Sequence, residues 1–171
     1  MFYARIPGYL KDDRVSLRLV RIFDSPFIRD ILTDRDILKS GGLSKPISES
    51  WFFVWWWIKK TFEPAYCIKF DSKRIGFIGL YNLKPGKSAE MTLVISGENS
   101  RRMGYGTRTF HILAQALSRY NLTEKIVVKV RKDNHASISF WKRLGFEDMH
   151  SFSGIKVMSL DLKGSGMEKV R

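Results

Sequence analysis

Cysteine is nearly absent. The 171 residues hold one, Cys67, so no disulfide can close within the chain. Histidine is almost as scarce, with three, and no Cys and His grouping has the spacing of a zinc site, so no metal is expected. Long apolar runs are missing too: the most apolar one, Trp51 to Ile58, spans eight residues and ends in Lys59 and Lys60. A membrane helix needs about 20 such residues, so no membrane partner is expected. Met1 to Leu10 is interrupted by Arg5, Pro7 and Gly8, so no export signal is expected there. A cytoplasmic location is the economical expectation. With only five prolines, no internal repeat and no linker composition, one domain is expected over 1–171, with a core over 14–162, an N-terminal extension over 1–13 and a flexible tail over 163–171. Acidic residues are the last shortage: 17 Asp and Glu face 30 Lys and Arg, a formal charge of +13. Residues 1–85 hold 15 basic against 9 acidic and residues 86–171 hold 15 against 8, so the excess is spread along the chain. Such a surface attracts anionic partners and repels polycations.

What is present reads as a mixed α/β domain. Val15 to Val20 alternates apolar and polar with period two, the pattern of a half-buried strand. Asp24 or Ser25 can cap a helix with Pro26 at its first position, carrying Phe27, Ile28, Ile31 and Leu32 inward. A second helix is expected from Ser48 to about Phe62, apolar around most of its circumference through Trp51 to Trp57. That aromatic block admits two readings: core with a homodimer contact, or a wall for a ligand. Ala65 to Phe70 and Arg74 to Tyr81 form a hairpin about Asp71-Ser72-Lys73, and Ala89 to Ser96 follows the Lys84-Pro85-Gly86-Lys87 turn. A helix over about Gly104 to Tyr120, a strand over Lys125 to Arg131, a helix over Asn134 to Leu144 and strands over Phe146 to His150 and Ile155 to Leu162 complete the order.

The chemistry concentrates in Arg101-Arg102-Met103-Gly104-Tyr105-Gly106-Thr107, between an apolar strand and an amphipathic helix. Glycines there let the backbone approach a bound group. The helix start adds unpaired N–H donors and a partial positive charge, together a phosphate site. Taken alone, the same residues also describe a plain helix start with solvated arginines.

The second element is Asn134-His135-Ala136-Ser137-Ile138-Ser139-Phe140-Trp141-Lys142-Arg143-Leu144-Gly145-Phe146, directly after a strand. Together the two segments resemble the acyl-CoA-binding signature of the GNAT superfamily of N-acetyltransferases. Ile95 to Thr107 is further similar to the branch holding ribosomal-protein N-terminal, diamine and amino-sugar acetyltransferases. The resemblance implies a mostly antiparallel mixed sheet of six to seven strands flanked by about four helices and splayed between the fourth strand (Ala89 to Ser96) and the fifth (Lys125 to Arg131). It implies acetyl-CoA as co-substrate. Gly104, Tyr105, Gly106 and Thr107 would then meet the pyrophosphate, beside Arg101, Arg102 and Met103. Val94, Ile95 and Ser96 would line the pantetheine arm and polarise the thioester carbonyl, Asn134 and Ser137 would hold the same arm, and Arg143 would reach the adenosine phosphate. Trp141 stands where the family often has a Tyr that protonates the leaving thiolate. An indole N–H does not do that, so Trp141 is expected to pack on CoA or in the core, and the general acid is unassigned.

An amine acceptor is charged at neutral pH and must lose a proton before it can attack. Glu90 matches an acidic family position that takes this proton through water; as a plain residue it is a solvated strand-end carboxylate. His111, His135 and His150 read as bystanders. The overall charge disfavours polyamine acceptors and suits an anionic carrier, such as a nucleotide-linked amino sugar, or a protein N-terminus. Two other classes stay open: a CoA-binding sensor without catalysis, and a basic nucleic-acid-binding module, the latter weakened by charges that form no stripe.

Overall fold

The computed structural model describes residues 6–34, 64–97, 100 and 102–163. The expected helix from Ser48 to Phe62, its aromatic block Trp51 to Trp57, Arg101 and most of the expected tail lie outside the described residues. Among the described residues eight strands form one sheet in the order β1-β2-β3-β4-β5-β6-β8-β7. They are β1 (Tyr9–Lys11), β2 (Val15–Leu19), β3 (Ala65–Phe70), β4 (Lys73–Lys84), β5 (Ser88–Ile95), β6 (Lys125–Arg131), β7 (Glu147–Phe152) and β8 (Ile155–Asp161). The described helices are α1 (Ser25–Thr33), α2 (Tyr105–Arg119) and α3 (His135–Arg143), with a 3-10 turn over Ile22–Asp24 ahead of α1.

Three details correct the sequence reading. Eight strands replace six to seven because Tyr9–Lys11, expected to belong to a loose extension, pairs antiparallel with β2 in the register Tyr9↔Arg18. Asp24 precedes α1, but its side chain makes no cap bond to that helix. It accepts instead from both terminal nitrogens of Arg18 (3.0 and 2.9 Å) and from the Arg21 N–H (2.7 Å) ahead of the helix, because a nearly buried carboxylate is strongly stabilised by a guanidinium that bonds both its oxygens. The β3–β4 turn is tighter than expected: Asp71 (φ 44°) and Ser72 (φ 65°) are both left-handed, a primed two-residue hairpin that leaves Lys73 in the strand.

Two cores result from the strand alternation. One face of the sheet buries Leu17, Ile68, Leu80, Met91, Ile126, Val128 and Met158 against Phe110, Leu113 and Leu117 of α2 and Trp141 of α3. The other face packs Ile28 and Ile31 of α1 on Val20, Cys67 and Phe77, with Val94 at its edge.

Candidate active site

β5 and β6 are the parallel pair in an otherwise antiparallel sheet. Their pairing runs Ser88↔Lys125, Ala89↔Ile126, Glu90↔Val127 and stops. Both strands continue, β5 to Ile95 and β6 to Arg131, so the sheet opens as a wedge whose apex is Glu90 and Val127. β5 then feeds α2 and β6 feeds α3, so two helix N-termini lie beyond the carboxyl ends of two diverging parallel strands. Ligands bind at such a place in open α/β sheets, where the strands hand the chain to helices on either side.

The wedge is lined on one side by backbone. Val94 pairs with Phe77 and Ile95 with Gly76, and the Ser96 N–H donates to the Ile75 carbonyl at 2.8 Å, as does the Ser96 hydroxyl at 3.1 Å. Antiparallel ladders turn alternate residues to opposite neighbours. Val94 and Ser96 therefore spend their backbone groups on β4, while Leu93 and Ile95 turn theirs toward the gap left by β6. Of the three residues expected to line a bound arm, Ile95 turns its backbone to that gap, while Val94 and Ser96 direct theirs to β4.

At the start of α2, Gly104 takes φ +80°, and Arg102 is likewise left-handed at φ 63°. This bend turns the chain into the helix, whose first residues are Tyr105, Gly106 and Thr107. Nothing lies within 4 Å of a Cβ built on Gly104, so glycine is needed there for its backbone angle and not for room. A Cβ on Gly106 would lie 3.4 Å from two ring carbons of Phe140, so the start of α2 packs against the middle of α3. Tyr105 lies against Phe70, ring centroids 4.6 Å apart. Met103 is 63% exposed, and the Arg102 side chain is exposed beside it. The first turn of α2 is anchored from behind by Arg108, 3.1 Å from both Asp12 and Asp13 in the β1–β2 turn.

α3 starts at Asn134, whose Oδ1 accepts the Ser137 N–H at 3.0 Å. Asn134 thus caps the helix, and Ser137 is half-buried in its first turn. Arg143 is exposed in the last turn, at the far end of α3 from the wedge. Trp141 is 4% exposed among Phe110, Phe140 and Phe146, at ring distances of 6.0, 4.9 and 4.9 Å. A ring with so little surface has almost none to give a ligand, so of the two roles expected for it, packing on CoA or in the core, the core is the one it fills.

Glu90 is half-buried on the face away from α2 and α3, since its neighbours Ala89 and Met91 are the ones that enter the core beneath those helices. Its carboxylate accepts from Asn82 Nδ2 (2.9 Å) on β4 and from Lys129 Nζ (2.9 Å) on β6. Tyr81 pairs with Glu90 across β4, and its hydroxyl lies over Gly79, 2.9 Å from where a Cβ would be. Sequence reading missed Tyr81, Asn82 and Lys129. The signal available was alternation: Lys129 shares a strand face with Val127, and Tyr81 with Gly79. His111, His135 and His150 are exposed on α2, α3 and β7. Among the described residues no helix is long and apolar enough to cross a membrane, and no group of three His, Cys, Asp or Glu could hold a metal ion.

A splayed parallel pair with a left-handed glycine bend feeding the helix beside it is the arrangement that the sequence motifs implied. The family model of GNAT acetyltransferases matches residues 26–146, most of the chain. The chain belongs to the GNAT family of acetyltransferases. Family membership makes it an acyltransferase. It is 26% identical over 129 residues to an N-alpha-acetyltransferase of Sulfurisphaera tokodaii, covering 69% of this chain and 77% of that one. In fold it is similar to the spermidine N-acetyltransferase of Vibrio cholerae solved with CoA and spermine (TM-score 0.76, 17% identity, 90% of this chain and 99% of that chain). It is also similar to a nucleotide-linked sugar GNAT (TM-score 0.74, 18% identity, 92% of each chain). The GNAT match begins at Pro26 and ends at Phe146, so it includes the wedge, the glycine bend and α3.

Proposed function

We propose that this GNAT protein transfers an acetyl group from acetyl-CoA to a primary amine by direct attack within a ternary complex. The observation that carries the reading is the wedge: pairing between β5 and β6 ends at Glu90↔Val127 while both strands run on toward helix N-termini. The gap suits a thin acyl-pantetheine arm, and the α2 start suits a pyrophosphate, which unpaired N–H groups and the helix dipole favour. Gly104, Tyr105, Gly106 and Thr107 would hold the phosphates, with Arg101, Arg102 and Met103 alongside. Backbone groups of Ile95 would meet the arm across from Asn134 and Ser137, and a donor aimed at the thioester oxygen is worth a few kcal/mol where charge develops. Arg143 is kept as the adenosine-phosphate contact.

The amine arrives from the face bearing Glu90. Its nitrogen lone pair attacks the thioester carbon, the new C–N bond forms, the C–S bond breaks, and the surplus proton on nitrogen passes through water to Glu90. The departing thiolate takes a proton from solvent, which a thiol pKa of about 8.5 permits. A protein N-terminus and an amino group on a nucleotide-linked sugar are the two acceptor classes that the +13 charge favours. The S. tokodaii relative supports the first and the sugar GNAT the second. The buried free thiol of Cys67 suits a reducing cytoplasm.

The test is thiol release from acetyl-CoA by the wild type and Glu90→Gln, with a free-N-terminus peptide, a nucleotide-linked amino sugar and spermidine as acceptors. Acceptor-dependent release that falls about 100-fold in the variant is expected from loss of a general base. CoA binding without release to any acceptor would return the protein to the sensor class.

A further inference from the structure

Glu90 is gripped from two strands. Asn82, a left-handed residue of β4 (φ 47°), donates to Oε1, while Lys129 Nζ lies 2.9 Å from Oε1 and 2.8 Å from Oε2. Lys129 stands two positions beyond Val127, where β6 has already left β5, so its chain reaches back across the wedge to the carboxylate. The pair is partly open to solvent, with the lysine side chain 46% and the glutamate 28% exposed.

The neighbouring charges on this face are otherwise engaged or distant. Lys125 pairs with Asp161 at 3.5 Å and Arg131 with Asp133 at 2.5 Å. The Tyr81 phenol comes from β4, and Glu147 and His150 lie two strands out on β7, opposite Ser159 and Val157 of β8. Among the described residues Lys129 is therefore the cation at the apex.

We propose that Lys129 sets the charge of the acceptor. Its ammonium, 2.8 Å from Glu90 Oε2, balances a carboxylate that would otherwise hold the acceptor amine as a cation, so the amine binds more readily in its neutral, nucleophilic form. The balanced pair leaves no net negative charge at the apex to draw a further cation on the acceptor. The acceptor class is then a monoamine in preference to a diamine or polyamine, and the +13 charge of the chain adds a preference for one carrying a carboxylate or phosphate. This rests on the reading of Glu90 as the base facing the acceptor. A positive neighbour lowers an amine pKa by 1 unit or more, and one unit is a tenfold change in the neutral fraction, so roughly that much rate is at stake near neutral pH.

The experiment compares pH profiles of kcat/KM for wild type, Lys129→Met, Lys129→Gln and Lys129→Arg. The acceptors are a peptide with a free N-terminus and an acidic second residue, and spermidine; CoA binding and thermal melting serve as checks on the fold. In both neutral variants the acidic limb should move up by about 1 pH unit and spermidine should gain about tenfold relative to the peptide, while Arg retains the wild-type pattern. Neutral variants that bind CoA but shift neither limb nor preference overturn the assignment, as does a wild type that prefers spermidine. A wild type that binds CoA yet acetylates no amine overturns the acetyl-transfer reading itself, and this inference with it.

Discussion

Arg108 in the first turn of α2 lies 3.1 Å from Asp12 and 3.1 Å from Asp13, tying the helix that opens at the glycine bend to the turn between β1 and β2. Asp12 does more than receive the arginine: its Oδ1 accepts the N–H groups of Arg14 (2.8 Å) and Val15 (2.6 Å), closing the turn on itself. Burial alone would raise its carboxyl pKa, and the two N–H groups with Arg108 more than offset this, leaving it below the usual value. Asp12 thus ties the turn beside the edge strand β1 to the first turn of α2.

Asp12→Ala should lower stability by about 1–2 kcal/mol, since two backbone donors and a guanidinium lose their acceptor. Asp13→Ala, which removes an exposed partner, should stay within about 0.5 kcal/mol. Urea unfolding of both variants checks the contrast, and equal losses would show that the turn geometry does not depend on Asp12.

Asp24, 3% exposed, should make the fold acid-sensitive. Burial raises its carboxyl pKa, but the Arg18 guanidinium, the Arg21 N–H and the charge of Arg74 outweigh it, and the native value is depressed. A depressed carboxyl contributes its full stability above the unfolded value of about 3.9 and loses it as pH falls toward the native value. Asp24→Asn should cost about 2 kcal/mol at neutral pH and much less near pH 3. A cost that is the same at both pH values would remove Asp24 from the acid transition.

Cys67 should be chemically quiet in the folded protein. Burial, then the Asp24 carboxylate, push its thiol up to about 11, against the opposing pull of Arg18, Arg74 and Lys69. The thiolate is the reactive form, so alkylation by iodoacetamide at about pH 8 should be slower than in urea by at least a hundredfold. Rapid native labelling would mean that β3 opens readily from the sheet.

Two glycines should fail for different reasons. A Cβ on Gly76 would collide with the Val94 carbonyl oxygen of β5, so Gly76→Ala should cost about 3 kcal/mol or more and disturb the strand lining the wedge. Gly104→Ala meets no atom but must hold φ +80°, which costs about 1–2 kcal/mol, and its main effect should be weaker CoA binding as the bend relaxes. Thermal melts with CoA titrations separate the two, and a Gly76→Ala protein as stable as wild type would contradict the close approach.

Much of the fold was legible because it depends on near neighbours. The alternation of Val15 to Leu19, the turn over Lys84 to Lys87 and the apolar face of Phe110, Leu113, Ala114 and Leu117 each state a local preference that the structure keeps. The glycine bend and the segment from Asn134 to Phe146 were readable for the same reason: their chemistry lies in contiguous backbone. β1 was not, since Tyr9–Lys11 is too short to show a period and becomes a strand only by pairing with β2.

The sequence alone therefore determined the elements, the even positive charge and the two motifs that place the chain among acetyltransferases, all matters of composition or of residues a few positions apart. Tertiary structure decided where β5 parts from β6, which residues on β5 face the gap, that Trp141 is enclosed by three phenylalanines, and that Glu90 meets a lysine 39 positions away. The enclosure of Trp141 depends on how α3 packs against α2; the others depend on strand order and register, and a register shift of one residue would turn Glu90 or Lys129 to the opposite face.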